Sequence, residues 1–299
     1  MGRQRMGRSY AGREQVSAGA KVDARGLAEA LRRTVRGEVR FDAGSRAVYS
    51  TDASNYRQVP IGVVIPRDSD DVLAAIDACR RFDAPVLPRG GGTSLAGQTC
   101  NVAVVLDFSK YMHAVLELDP ERRLARVQPG VVLDDLRAQA ERHHLTYGPD
   151  PSTHNRCTLG GMIGNNSCGV HSIAAGLTSD NVEELEIVTS DGLRLRVGAT
   201  GEEELARLIA GDGRRAMLYA ALDALRERYA DDIRTGYPAI PRRVSGYNLP
   251  DLLPERGFHV ARALVGSEGT CATVLEATVR LIESPPHRAL AVLAYADIY

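Results

Sequence analysis

The chain has 299 residues, with 37 Lys and Arg against 38 Asp and Glu and a formal net charge of -1. Apolar residues make up 44% of it, which excludes a disordered or acidic-tail protein and leaves ample chain to bury a core. The balanced charge also argues against a nucleic-acid partner, because proteins that neutralise a phosphate backbone normally carry a basic excess.

The five cysteines are widely separated and form no C-x-x-C pair, so the sequence predicts no zinc, iron-sulfur or other metal site. No apolar run approaches the roughly 20 residues of a membrane span, and the N-terminus lacks the apolar stretch of a signal peptide. We therefore predict a reduced, cytoplasmic protein whose association with membranes is at most peripheral.

In chain order, residues 1–26 have no periodicity and are predicted to be a disordered tail, with order beginning at Leu27–Val35. Ser69, Asp70 and Asp71 are predicted to cap a helix that runs through Phe82. Short apolar runs alternate with such helices, which indicates a mixed α/β domain. The predicted strands are 61–65, 84–87, 102–108, 114–118 and 122–127, and a second helix is predicted from 133 to about 143.

The second half of the chain is less regular. Residues 149–176 show no period, and loops of that length in a compact domain are usually functional. Ser190-Asp191-Gly192 separates two apolar runs and predicts a hairpin. Leu290–Tyr295 has the pattern of a strand with only four residues after it, so 285–299 is predicted to be the start of a truncated second domain. The remaining predictions are strands at 182–189, 193–197 and 270–282, helices at 202–210 and 215–229, and an irregular segment at 235–256.

The most specific feature is the sequence Arg89-Gly90-Gly91-Gly92-Thr93-Ser94, directly after the predicted strand 84–87. Successive glycines allow a sharp turn that presents backbone N–H groups to an anion, and the hydroxyls and the arginine charge add to that potential. The segment predicts a phosphate cradle, with a plain glycine-rich surface turn as the alternative. It matches neither the nucleotide-hydrolysing P-loop nor the nicotinamide fingerprint G-x-G-x-x-G.

Two further glycine-rich segments follow. One combines Pro149-Asp150-Pro151-Ser152 with the block Thr158–Gly169, and the other is Gly266–Thr270, after the apolar run 261–265. Small residues let a ligand approach the backbone closely, and the asparagines supply donors and acceptors. Three such turns, each expected beside a strand, suit one long ligand lying across an α/β domain better than three small ligands.

The ordered motifs R-G-G-G-T-S-L-A-G-Q, G-G-x-x-x-x-N-x-x-G, G-Y-N-L and G-S-E-G-T cover roughly residues 52–283. Together they resemble the FAD-binding domain of the PCMH-type, or vanillyl-alcohol-oxidase, flavoproteins, and within them the D-lactate, glycolate and D-2-hydroxyglutarate dehydrogenase branch. The resemblance implies an α/β (α+β) fold in which residues 27–284 form two α/β subdomains around an extended FAD. It also implies noncovalent FAD, because Gly92 stands where some members carry a flavin-linked histidine.

The resemblance implies a role for each glycine segment. The first would hold the FAD pyrophosphate, and the second would border the flavin and line its ribityl chain. Val182 would pack on adenine or hydrogen-bond to it through its backbone, and the third segment would lie near the flavin. The implied cofactor-binding residues are Arg89, Gly90, Gly91, Gly92, Thr93, Ser94, Gln98, Pro149, Asp150, Ser152, Thr158, Gly160, Gly161, Asn166, Gly169, Val182, Glu268 and Gly269.

The implied activity is the oxidation of a D-2-hydroxy acid to the 2-oxo acid by hydride transfer to flavin N5, with electrons then passing to an external acceptor. The family's catalytic residues, and any metal, would lie beyond Tyr299, so the sequence names no catalytic residue. Two other readings stay open: an NADPH-dependent flavin reductase of the enolpyruvyl-sugar type, and a noncatalytic flavin-binding module.

Several polar side chains near these motifs have more than one interpretation. His154 and His171 are more simply loop histidines with a hydrogen-bond partner than catalytic bases. Tyr247 faces either the flavin or the underside of an irregular loop. Arg242 and Arg243 are candidates for contact with a carboxylate substrate, although exposed arginines are common.

Overall fold

The computed structural model describes residues 22–287 and 289–297. Most of the predicted tail, residues 1–21, lies outside the described residues. The helices are α1 Ala24–Thr34, α2 Ala43–Val48, α3 Ser69–Arg81, α4 Leu133–Ala140, α5 Leu159–Asn165, α6 Ser172–Ala175, α7 Glu202–Ile209, α8 Gly213–Gly236 and α9 Val260–Leu264. The strands are β1 Glu38–Arg40, β2 Gly62–Ile65, β3 Val86–Arg89, β4 Val104–Asp107, β5 Val115–Asp119, β6 Leu124–Val127, β7 Leu145–Thr146, β8 Val182–Val188, β9 Arg194–Val197, β10 Thr273–Arg280 and β11 Ile282–Glu283.

The first subdomain is a four-stranded sheet in the order β1-β2-β4-β3. Strands β2 and β3 run parallel to β4, and β1 pairs antiparallel with β2. Every residue of β2 and β4 is buried, as expected for strands covered on both faces. Val64 and Leu106 pack in one core cluster with Ile76 of α3 and Leu27 of α1.

Helix α3 confirms the predicted helix but corrects its cap. The N-cap is Asp68, whose carboxylate accepts the backbone N–H of Asp71, and Ser69 is the first helical residue. Asp71 is 1% exposed and accepts three other backbone N–H groups, those of Arg36, Gly37 and Arg67. Asp71 therefore holds two loops against the helix, while Asp68 accepts a hydrogen bond from an N–H group of the first turn that has no partner within the helix.

The second subdomain is an antiparallel sheet in the order β5-β6-β10-β8-β9. Strand β10 alternates buried and half-buried residues, so one face of the sheet joins the core and the other carries charged side chains. The predicted hairpin is confirmed: β8 pairs with β9, and Thr189 N–H donates to the carbonyl of Leu193 across the turn. Val188 and Leu275 of this sheet join the core of the first subdomain, so the two subdomains share apolar contacts.

The structure differs from prediction in three other places. Helix α1 begins at Ala24, three residues before the predicted start of order. Residues 290–295 form no strand, and the large side chains among them are 73–90% exposed. The block 149–176 contains α5 and the short α6, where no period was predicted. None of the described helices is both long and apolar enough to cross a bilayer.

Candidate functional site

A cleft lies where the two subdomains meet, between the end of β3, the start of α5 and the loop after α9. Its wall contains members of all three glycine-rich segments, so the fold brings together stretches that are up to about 180 residues apart. The lining residues are Pro88, Arg89, Gly90, Ser94, Gln98, Thr99, Phe108, Pro129, Thr158, Gly160, Gly161, Ile163, Gly164, Ile187, Leu264, Ser267, Glu268, Gly269, Ala272 and Val274.

The first glycine loop packs its backbone directly on the start of α5. A Cβ placed at Gly90 would lie 2.0 Å from the hydroxyl oxygen of Thr158, and one at Gly91 would lie 2.3 Å from the carbonyl oxygen of Arg156. Both distances are far shorter than any carbon contact, so these positions require glycine. Gly92 has a left-handed backbone, with φ of +65°. Bare backbone is therefore the surface that this loop presents.

Arg89 organises the loop through its guanidinium. One terminal nitrogen donates to the Thr99 carbonyl at 2.9 Å and the other to the Thr51 carbonyl at 2.8 Å, while the group stacks on the Tyr49 ring, 5.4 Å from its centroid. These bonds tie the two ends of the loop to the segment before it. The sequence predicted that Arg89 offers its charge to an anion. In the structure Arg89 lines the cleft, but its N–H groups are directed to protein carbonyls.

Helix α5 forms the second wall. The Thr158 hydroxyl accepts the N–H of Gly161 as the N-cap, and Leu159, Met162 and Ile163 are buried at i, i+3 and i+4 spacing. That burial holds a helix together despite its poor propensity. Its glycines form the opposite, bare face: Gly160, Gly161 and Gly164 line the cleft. For Gly161, an added Cβ would meet nothing closer than the Thr158 hydroxyl at 3.4 Å, so space exists beside this face.

The third glycine segment corrects one expectation, because it follows the helix α9 rather than a strand. It docks on the end of α5, where Gly266 N–H donates to the Ile163 carbonyl and Glu268 N–H to the Gly164 carbonyl, both at 2.9 Å. Glu268 has a φ of +52°, a conformation uncommon outside glycine. Its Oε1 accepts the Asn165 amide at 2.9 Å, and burial raises the pKa of its carboxyl group.

Several residues implied by the resemblance lie outside the cleft wall. Gly91, Gly92 and Thr93 do not line the cleft, although Gly90 and Ser94 on either side of them do. Asn166 and Val182 are instead in contact with other groups of the protein. Asn166 caps α5 in a left-handed conformation, and its Oδ1 accepts the N–H of Ser179. The carbonyl of Val182, a fully buried residue, accepts the Arg262 side chain at 3.0 Å, which gives the expected adenine-binding group a protein partner.

The loops before and after α5 also contact each other. A Cβ at Gly169 would lie 2.0 Å from the Asp150 carbonyl oxygen, so these two backbones are in direct contact. The Pro149 carbonyl lies 3.5 Å from a guanidinium nitrogen of Arg137, and Ser152 is exposed. These positions frame the helix rather than line the cleft.

The two candidate histidines are loop residues with carboxylate partners. His154 Nδ1 lies 2.8 Å from the Asp134 carboxylate, and His171 Nδ1 is hydrogen-bonded to that of Asp150. His171 is 71% exposed, whereas the Asp150 side chain is 11% exposed. Both histidines thus have the hydrogen-bond partner that the simpler interpretation expects.

The other three candidates lie in the segment that follows α8. The Tyr247 hydroxyl is 2.9 Å from that of Thr270, which places Tyr247 beside the third glycine segment. Arg243 donates to Asn248 at 2.9 Å and stacks on the Tyr237 ring. Arg242 Nε lies 2.9 Å from the Cys168 sulfur.

The apolar side of the cleft was missed by the sequence reasoning. It comes from strand ends, turns and the end of helix α9: Phe108, Pro129, Ile187, Leu264, Ala272 and Val274. Two sequence features could have pointed to this apolar side: Phe108 follows a buried strand, and Pro129 lies in a Pro-Gly turn. Bare backbone and hydroxyls on one side and apolar groups on the other suit a ligand that combines an anion with a flat, largely apolar ring system. The residues present therefore fit an extended flavin dinucleotide.

Comparison with known proteins agrees with that fit. Residues 60–198 match the family model described as FAD binding domain. Two structures of alkyldihydroxyacetonephosphate synthase superpose with TM-scores of 0.61 and 0.60 at 19% identity, over 88% of this chain and 41% and 44% of theirs, which shows a common fold. Residues 60–198 are therefore similar to an FAD-binding domain, the surrounding chain shares the fold of these structures, and FAD is the cofactor.

The curated relatives narrow the likeness further. The chain is 37% identical to a D-2-hydroxyglutarate dehydrogenase of Pseudomonas putida over 274 residues, which are 90% of this chain and 27% of that protein. It is 33% identical to the glycolate oxidase subunit GlcD of Bacillus subtilis over 88% of this chain and 46% of the subunit. The resemblance inferred from the motifs is thus confirmed. The chain spans between about a quarter and a half of these relatives.

Proposed function

We propose that this protein is the FAD-binding part of a flavin-dependent oxidoreductase that oxidises a D-2-hydroxy acid of the D-2-hydroxyglutarate or glycolate type to the 2-oxo acid. The observation that supports it most directly is the convergence of the three glycine segments on one cleft. The names of the relatives, D-2-hydroxyglutarate dehydrogenase and glycolate oxidase subunit, favour the substrate class.

In this proposal the chain's own residues bind and orient the cofactor. The backbone N–H groups of 90–94 would hold the diphosphate by supplying the hydrogen bonds that a desolvated anion requires. The bare face of α5 allows the cofactor to approach the backbone, and Phe108, Ile187 and Val274 exclude water from the opposite side. When bound, FAD supplies the acceptor for the hydride of the substrate.

Other parts of the proposal rest on the resemblance. Pro149, Asp150, Ser152, Asn166 and Gly169 shape the loops around the flavin, and Val182 stays assigned to the adenine end. The base that takes the hydroxyl proton, the external electron acceptor and the cytoplasmic location stay predictions. No catalytic residue is assigned within the chain.

Because no catalytic residue is assigned within the chain, the proposal is tested on the whole enzyme of which this chain is the FAD-binding part, loaded with FAD and followed by its absorption spectrum under anaerobic conditions. D-2-hydroxyglutarate, glycolate and D-lactate are added separately, with L-2-hydroxyglutarate as the stereochemical control and NADPH as the competing reductant. We expect bleaching by a D-2-hydroxy acid and none by the L-enantiomer. Bleaching by NADPH alone would instead assign a reductase of the enolpyruvyl-sugar type. Bound FAD that none of these compounds reduces would indicate a noncatalytic flavin module.

A further inference from the structure

Glu268 lies where the three glycine segments meet at the cleft. It belongs to the third segment, its Oε1 accepts the side-chain amide of Asn165 at the end of α5, and the Gln98 side chain at the end of the first loop acts to lower the pKa of its carboxyl group. Both Gln98 and Glu268 line the cleft. The left-handed backbone at Glu268, with φ of +52°, is a conformation that bulky residues rarely adopt and that is often found at functional sites.

The charge around Glu268 is poorly compensated. Of the described residues that line the cleft, Arg89 and Glu268 are the charged ones, and the Arg89 guanidinium is bound to the carbonyls of Thr51 and Thr99. Asn165, its hydrogen-bond partner, and Gln98, which also lines the cleft, are neutral. A carboxylate here would therefore share the cleft with the diphosphate of FAD, and two negative groups withdrawn from water oppose each other.

Among the described residues, the elements packed around Glu268 direct their arginines elsewhere. Helix α5 has no charged residue. Arg262 of α9 donates to the Val182 carbonyl and to Glu183. In the segment after α8, Arg242 lies against Cys168 and Arg243 is bound to Asn248. Burial raises the pKa of the Glu268 carboxyl group already in the free protein, and bound FAD would remove more water and add negative charge.

We propose that Glu268 faces FAD as a neutral carboxylic acid, so that binding of the cofactor takes up one proton from solvent. The protonated side chain is a hydrogen-bond donor toward the cofactor, whereas the carboxylate repels the diphosphate. Glu268 thereby makes FAD affinity depend on pH and disfavours the cofactor under alkaline conditions. This inference rests on the placement of FAD in the cleft, and it concerns cofactor binding rather than turnover.

The test measures the dissociation constant of FAD by fluorescence quenching between about pH 5.5 and about pH 8.5, around and above the ordinary range of a glutamate pKa. We expect the affinity of the wild-type protein to fall by up to about tenfold per pH unit above the Glu268 pKa. E268Q keeps the size and hydrogen-bonding ability of the side chain without the titration. It should bind FAD with little pH dependence and more tightly than wild type at the alkaline end.

E117Q is the matched control, because Glu117 is 65% exposed on β5 and does not line the cleft. It should reproduce the pH profile of the wild type, which separates Glu268 from titration of FAD or of other groups. Calorimetry in two buffers of different ionisation enthalpy counts the protons directly, and thermal unfolding without FAD shows whether each variant is folded. Uptake of close to one proton by wild type and of almost none by E268Q supports the proposal.

Three results would overturn it. These are a wild-type affinity that is independent of pH, a pH profile that E268Q retains, and folded E268Q that binds FAD more weakly than wild type at every pH. Each of them presupposes that FAD binds. A folded wild-type protein that takes up no FAD would instead refute the assignment of the cleft as the cofactor site.

Discussion

Gly161 offers a test of the cleft in which stability and cofactor affinity move in opposite directions. It is helical and lines the cleft, and an added Cβ would lie 3.4 Å from the Thr158 hydroxyl, an ordinary contact that leaves the fold undisturbed. Gly161→Ala keeps the capping N–H and gains helix propensity, so the apo protein should become more stable by roughly 0.5–1 kcal/mol. The new methyl group would occupy space that we assign to FAD.

Forcing a methyl group into a well-packed contact typically costs about 1–3 kcal/mol. Since about 1.4 kcal/mol corresponds to a factor of ten, we expect the dissociation constant of FAD to rise by roughly 5-fold to 150-fold. Urea unfolding of the apo protein followed by circular dichroism gives the first quantity, and FAD fluorescence titration gives the second. Because the apo protein should become more stable while FAD binds more weakly, the two measurements distinguish a damaged binding site from a damaged fold.

Gly236→Ala is the matched control, because Gly236 ends α8 and has nothing within 4 Å of an added Cβ. It should gain comparable helix propensity and leave FAD affinity unchanged. The reasoning would be refuted if the Gly161 variant were folded, more stable and still bound FAD within about twofold of wild type. That result would mean that the cofactor does not approach the face of α5.

Gly91→Val should lose both stability and FAD, because its Cβ would lie 2.3 Å from the Arg156 carbonyl and displace the first loop; a folded variant that stays yellow would refute this. His259 predicts an acid sensitivity. It is buried, its Nδ1 accepts the N–H of Arg262 as the N-cap of α9, and burial followed by the nearby Arg262 charge lowers its pKa to about 4. Because the unfolded pKa is about 6.5, the unfolded state alone takes up this proton as pH falls from about 6.5 toward 4, and the stability lost should be roughly 3 kcal/mol. His259→Asn retains a capping side chain without the titration, so the urea unfolding free energy of wild type minus that of the variant should fall by roughly 3 kcal/mol as pH falls from about 6.5 toward 4. A difference that stays constant over this pH range would mean that His259 does not titrate.

The regular parts of the fold could be predicted because their signals are local. The buried runs at β2 and β4 read as continuous apolar stretches, and the hairpin of β8 and β9 is marked by Ser190-Asp191-Gly192. Leu290–Tyr295 shows where that reasoning ends. The pattern of a strand is present, but a strand also needs a neighbour to pair with, and the described part of the chain provides none there.

Helix α5 was missed for a different reason. Three of its seven residues are glycines, which lowers helix propensity throughout and obscures the apolar period. The spacing of Leu159, Met162 and Ile163 was nevertheless the spacing of a buried helical face, and Thr158 was a cap signal. Tertiary burial decides the structure here, so an apolar spacing inside a glycine-rich block carries more information than the glycines themselves.

The residues of the site likewise differ in whether the sequence reveals them. Glycines that other groups approach closely, such as Gly90 beside the Thr158 hydroxyl and Gly91 beside the Arg156 carbonyl, can be recognised from sequence because only glycine has no Cβ to clash there. The apolar wall is not, since Phe108 and Ile187 look like any other core residues and meet the cleft only through the packing of two subdomains. Arg89 shows a third case: its charge suggested an anion contact, but the guanidinium is used to fix the loop. The binding surface is then supplied by backbone amides, whose positions depend on the side chains behind them.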